Sequence, residues 1–119
     1  MIYISGNVPS SKNSKQWTGK FLISSKTVRE YVKEHDIDWK LKKEEFKKLI
    51  SGKEKPYKIG FYFIRSTKRK FDYINACQLP CDLMTKHKWI EDDNCDEIIP
   101  VFLGYKVDKE TAGVIIKVL

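Results

Sequence analysis

Three observations predict a single α/β (α+β) domain over residues 1–119, with a mixed β-sheet packed against helices. The chain is 119 residues long, within the range of one domain with one core. Its apolar residues reach 41%, enough to fill that core, and its charged residues, 33% and of both signs, argue against disorder. β-Prone runs also alternate with stretches of helical periodicity, which predicts strands near residues 1–5, 57–65, 96–105 and 113–119, and helices near 27–51 and 75–87.

Each element has a local reason. Ile2 and Ile4 alternate with Tyr3 and Ser5 before Gly6, the pattern of a short half-buried strand. Residues 6–14 are a loop by composition, and Phe21-Leu22-Ile23 is a second short strand. Thr27-Val28-Arg29-Glu30 has the form of a capping box, opening a helix with Val28, Tyr31 and Val32 on one face. His35-Asp36-Ile37-Asp38 is expected to interrupt it, after which Trp39, Phe46, Leu49 and Ile50 recur with helical spacing until Gly52. Lys40, Lys42, Lys43, Lys47 and Lys48 fall mostly off that stripe, as on a solvated face. Tyr57–Arg65 is strongly β-prone and reads as a central strand. From Asn75 to Lys86, Cys77, Cys81, Leu83 and Met84 suggest a helix that kinks or begins near Pro80, which lacks an amide proton. Residues 98–105 and 114–119 read as two closing strands joined by a hairpin turn over 107–113.

The function classes narrow by charge and by exclusion. The net charge is +7, and residues 1–60 hold 14 basic and 7 acidic groups, whereas residues 61–119 hold 9 of each. A basic balance of this kind fits a phosphate-rich partner. In the second half the charges are separated into blocks, Lys68-Arg69-Lys70 and then Glu91-Asp92-Asp93 with Asp96-Glu97. No apolar run approaches the ~20 residues needed to span a bilayer, and Met1-Ile2-Tyr3-Ile4 lacks the charged start of an export signal, so no membrane association and a cytoplasmic location are expected. Three cysteines, an odd number, favour reduced thiols. No glycine-rich phosphate loop is present, which disfavours a nucleotide cofactor.

The blocks that carry chemistry are the basic run leading into Asp72 and Asn75, and the acidic run Glu91-Asp92-Asp93. Carboxylates gathered after a strand and after a helix are what Mg²⁺ needs: a few hard oxygen ligands, with positions left for water and phosphate. The alternative for Asp72 is a helix N-cap, and for residues 91–94 a solvated turn. Cys77, Cys81, His87 and Cys95 are zinc-ligand types, but Cys-x₃-Cys on a helix is not the turn-based spacing of structural sites, and small core thiols are the simpler reading. His35 and His87 are expected at the surface. Trp17, between Lys15 and Lys20, either stacks on a base or packs against the first helix.

In order and spacing these pieces resemble the RusA family of Holliday-junction resolvases, over almost the whole chain. The loop Gly6-Asn7-Val8-Pro9-Ser10-Ser11-Lys12-Asn13 is similar to that family's Gly-x-x-Pro-Ser-x-Asn type loop. The basic run leading into Asp72-x-x-Asn75, the segment with Asp82, and the Asp92-Asp93 pair follow in the family's order, with Asp72 and Asp93 at its spacing. The resemblance implies a homodimeric Mg²⁺-dependent endonuclease that cuts four-way DNA junctions, and Mn²⁺, which binds a poorer oxygen site more tightly, is the alternative ion. It implies Asp72, Asp92 and Asp93 as catalytic metal ligands. It also implies Lys12, Asn13, Lys15, Lys68, Arg69 and Lys70 as DNA contacts. The family pattern Asp-x-Asp-Asn-x-x-Lys is broken here, because Ile74 stands at the second aspartate and Gln78 at the lysine. Ile cannot ligate a metal and Gln brings no charge to a phosphate, so Asn75, Gln78, Asp82 and Glu91 become the candidates for rebuilding the site, and a branched-DNA-binding module without cleavage is the alternative.

Overall fold

The computed structural model describes residues 1–10, 15–17 and 22–119, with backbone alone in the segments 15–17 and 22–24. The element order is β1(Ile2–Ser5), β2(Lys15–Trp17), β3(Leu22–Ser24), α1(Lys26–Leu41), α2(Lys43–Leu49), β4(Tyr57–Arg65), α3(Tyr73–Lys86), β5(Ile98–Val107) and β6(Gly113–Val118). Four strands form a mixed sheet in the order β1-β6-β4-β5, and β2 and β3 form a separate antiparallel pair. Lys12 and Asn13 lie outside the described residues, as do the side chains of Lys15 and Trp17.

β4 is central, as its composition requires. Ile59, Phe61 and Phe63 are all buried on one face, packed with Ile2, Ile4, Val114 and Ile116 of the neighbouring strands. β6 runs antiparallel to both its neighbours, with Ile116 opposite Ile2 on one side and Phe61 on the other. Gly113 at its start is required by close packing, since a Cβ there would collide with the Ile4 carbonyl oxygen. β5 runs parallel to β4, so the β4-α3-β5 segment is a βαβ unit, with a register shift where Phe61 and Tyr62 face Phe102 and Gly104.

The expected hairpin between the last two strands is corrected by this topology. β5 and β6 flank β4 on opposite sides, and residues 108–112 cross the end of β4 between them. Local composition marks the turn but carries no information on which strand each end will pair with. Two helix signals also shift. Ser25, not Thr27, is the N-cap of α1, its hydroxyl accepting from the Val28 amide at 3.4 Å. The helix then continues through His35–Asp38 to Leu41. The polar run is tolerated because His35 and Asp38 pair at 3.0 Å one turn apart. Lys42 then serves as C-cap of α1 and N-cap of α2.

Helix packing centres on Trp39, Phe46 and Trp89, whose rings lie within 5.1–5.4 Å of one another along the chain of contacts through Trp89. The Trp39 indole donates to the Tyr31 hydroxyl at 3.1 Å and the Trp89 indole to the Trp39 carbonyl at 2.8 Å, so both buried polar tips are satisfied. Burial pushes the Tyr31 phenol up to about 12. Neither histidine is a free surface group, contrary to the expectation: His87 sits 2.8 Å from Asp36 and His35 packs on the Tyr31 ring. No described helix is long and apolar enough to cross a membrane.

Candidate functional site

The basic run acquires its position from a residue that the sequence reading passed over. Arg65, the last residue of β4, is only 8% exposed. Its guanidinium donates to the Val8 carbonyl and to the Ser10 hydroxyl, and stacks 4.5 Å over the Phe71 ring. Burial lowers its pKa, yet an arginine so far above neutrality keeps its charge. The Ser66 amide donates to the Asn7 side chain at 2.9 Å, a second tie to the same loop. Together these bonds fasten the 6–10 loop to the carboxyl end of the central strand.

The result is a cleft of about 440 Å³ lined by Asn7, Ser10, Thr27, Arg65, Arg69 and Lys70, among others. It is built from hydroxyls, an amide and three cationic side chains, at the end of a strand where α/β sheets commonly hold ligands. Arg69 and Lys70 line it, whereas Lys68, also exposed, does not.

Beyond Lys70 the chain crosses an aromatic step. Phe71 lies edge-on to Tyr73 and Tyr105, and Tyr73 stacks on Phe102 at 5.2 Å. Asp72, between Phe71 and Tyr73 in sequence, is exposed and extended (φ −103, ψ 131) at the N-cap of α3. It makes no side-chain cap bond and instead accepts from the Asn75 side-chain Nδ2 at 3.3 Å. Asp72 therefore holds the cap position without performing a cap's usual hydrogen bonding.

One face of α3 then forms the wall of a second pocket, about 410 Å³, made by Ile74, Cys77, Gln78, Cys81, Asp93, Pro100 and Phe102. Asp93 is thus brought together with the two positions where the sequence departs from the family pattern. Ile74 is 76% exposed, so its apolar side chain is not there to fill the core. Pro80 sits inside the helix and is buried, and α3 continues through it. Asp82 and Glu91 are exposed and do not line this pocket.

Asp92 belongs to a tight turn. One carboxylate oxygen accepts from the Asp93 amide at 2.8 Å and the other from the Asn94 side chain at 3.2 Å. These bonds, the backbone one foremost, lower its pKa below the usual carboxylate value. Among the described residues no three His, Cys, Asp or Glu side chains are grouped to hold a metal. Magnesium takes octahedral oxygen coordination, for which Asp72, Asp92 and Asp93 would be the charged oxygen donors. The chain matches no family model, and no curated protein matches it in sequence.

Proposed function

We propose that the protein binds DNA through its phosphodiester backbone, with four-way junctions as its substrate and a homodimer as the acting form. The cleft carries this reading: Arg69 and Lys70 line it beside the hydroxyl and amide donors of Ser10, Thr27 and Asn7, the donor types that hold phosphate oxygens. The net charge of +7 supports it, and the choice of branched DNA follows from the resemblance to RusA resolvases. Support for the dimer comes from β5, a ten-residue edge strand with Ile99, Phe102, Leu103, Tyr105 and Val107 exposed.

The test compares binding to a four-way junction and to linear duplex as salt is varied. Affinity is expected to favour the junction, and its logarithm to fall linearly with log salt, by about 0.9 per phosphate neutralised. A nearly flat salt dependence overturns the reading.

The second reading is metal-dependent cleavage, favoured by Asp93 lining a pocket with the positions of Ile74 and Gln78. Asp72, Asp92 and Asp93 would hold Mg²⁺ or Mn²⁺, which would supply the activated water and offset phosphate charge. Symmetrical nicks in a junction that need the metal and vanish in Asp93→Asn, with binding kept, support it. A variant that still cuts as the wild type does removes Asp93 from the machinery.

A further inference from the structure

The pocket beside Asp93 is poor in charged oxygen donors along α3 but contains two sulfurs. Cys77 and Cys81 are one helical turn apart, and their Sγ atoms lie 3.6 Å from each other. Both residues are mostly buried, at 5% and 7% exposure, yet both line the same open pocket as Asp93. Two bonds of ~2.3 Å from sulfur to a tetrahedral ion place the sulfurs about 3.8 Å apart. The thiol pair therefore already has nearly the bite of a tetrahedral chelate.

We propose that Cys77 and Cys81 form a chelating site for a soft, filled-shell divalent cation of the zinc class, entered through the pocket that Asp93 lines. Thiolate sulfur selects such ions over magnesium, whose preference is for oxygen. The remaining positions fall to water admitted through the pocket, since no third His, Cys, Asp or Glu is grouped with the pair among the described residues. His87 takes no part, since it is engaged with Asp36, and Cys95 is exposed outside the pocket. Each metal–sulfur bond forms as an S–H bond breaks, so one ion releases about two protons to solvent and no electron is transferred. The ligating forms are thiolates, so the ion competes with protons and binding weakens as the solution is acidified. This inference is independent of DNA binding.

The experiment uses Cys95→Ser protein, kept reduced with a phosphine, and titrates it with Cd²⁺ in the absence of DNA. A sulfur-to-cadmium ultraviolet band saturating at about one equivalent is expected, with displacement of the band by Zn²⁺ and a rise in melting temperature with either ion. Adding Cys77→Ser or Cys81→Ser should weaken Cd²⁺ binding at least ~10-fold. Folded Cys95→Ser protein that gives no band overturns the proposal whatever the further variants do. So does a band of unchanged affinity in folded Cys77→Ser/Cys81→Ser/Cys95→Ser protein.

Discussion

The cleft at the end of β4 and the pocket along α3 differ in how they are held. The cleft at the end of β4 is braced by a buried guanidinium that bonds to Val8 and Ser10, so its donors are fixed by the strand behind them. The pocket along α3 has an exposed isoleucine, a neutral glutamine and a carboxylate on a separate turn, so nothing charged on the helix faces Asp93 from positions 74 or 78. Under the proposed function, the difference separates phosphate binding from phosphate chemistry. The first needs donors on a rigid edge, whereas the second needs convergent charge.

The largest expected effect tests the brace. Arg65→Ala leaves the buried Val8 carbonyl without its donor and should destabilise the fold by on the order of 2–4 kcal/mol, read from denaturant melts. Arg65→Lys should recover only part, because one ammonium cannot span both acceptors with the guanidinium's geometry. An unchanged melt in Arg65→Ala would mean that the loop is held without it.

Replacing Arg69 and Lys70 together by alanine should leave stability within ~0.5 kcal/mol, since both are exposed. The same change should reduce the salt slope of DNA binding by about 2. An unaltered slope would move the phosphate contacts elsewhere. Next comes the pair Ile74→Asp with Gln78→Lys, which restores charge to the α3 pocket. Because Ile74 is 76% exposed, the aspartate meets water and the fold should tolerate it. Junction cutting at limiting Mg²⁺ should rise at least ~10-fold, or roughly 1.4 kcal/mol. A folded double variant that binds junctions and cuts no faster would show that the two positions do not limit the chemistry.

The smallest effect concerns the tie between α1 and α3. Lys86 and His87 approach the same Asp36 oxygen at 3.0 and 2.8 Å. Partial burial opposes ionisation of Asp36, but these hydrogen bonds outweigh it and its pKa is lowered. The stabilisation is therefore complete above the ordinary aspartate value of about 3.9 and is lost as pH falls through the lower folded value. With the group partly in water, it should not exceed ~1 kcal/mol. Asp36→Asn should flatten that part of the acid denaturation curve, and an identical acid profile would mean that the tie contributes nothing.

The elements with strong periodicity were legible in the sequence. Ile59, Phe61 and Phe63 alternate in a run that contains no turn signal, and Trp39 and Phe46 fall on the helical stripe that buries them. Pairing partners were not legible, because whether residues 98–107 lie beside β6 or across β4 depends on the crossover through α3 rather than on local composition. At the site, the sequence supplied the basic run and Asp93. It gave no sign that Arg65 would brace the cleft, because its acceptors are contributed by residues more than fifty positions earlier in the chain. Nor could it say whether Ile74 was a core residue or an exposed one, since an apolar side chain in the first turn of a helix suits either.

The place of β6 between β1 and β4 has a consequence for biosynthesis. Neither β1 nor β4 pairs with the other, and the two are joined in the sheet through β6, which carries Val114 and Ile116. A chain emerging from the ribosome in order presents Ile2, Ile4, Phe61 and Phe63 long before residue 118 is available, so the sheet closes only after nearly all of this sequence has cleared the exit tunnel. Until then its most β-prone segment, Tyr57–Arg65, needs shelter from other nascent chains.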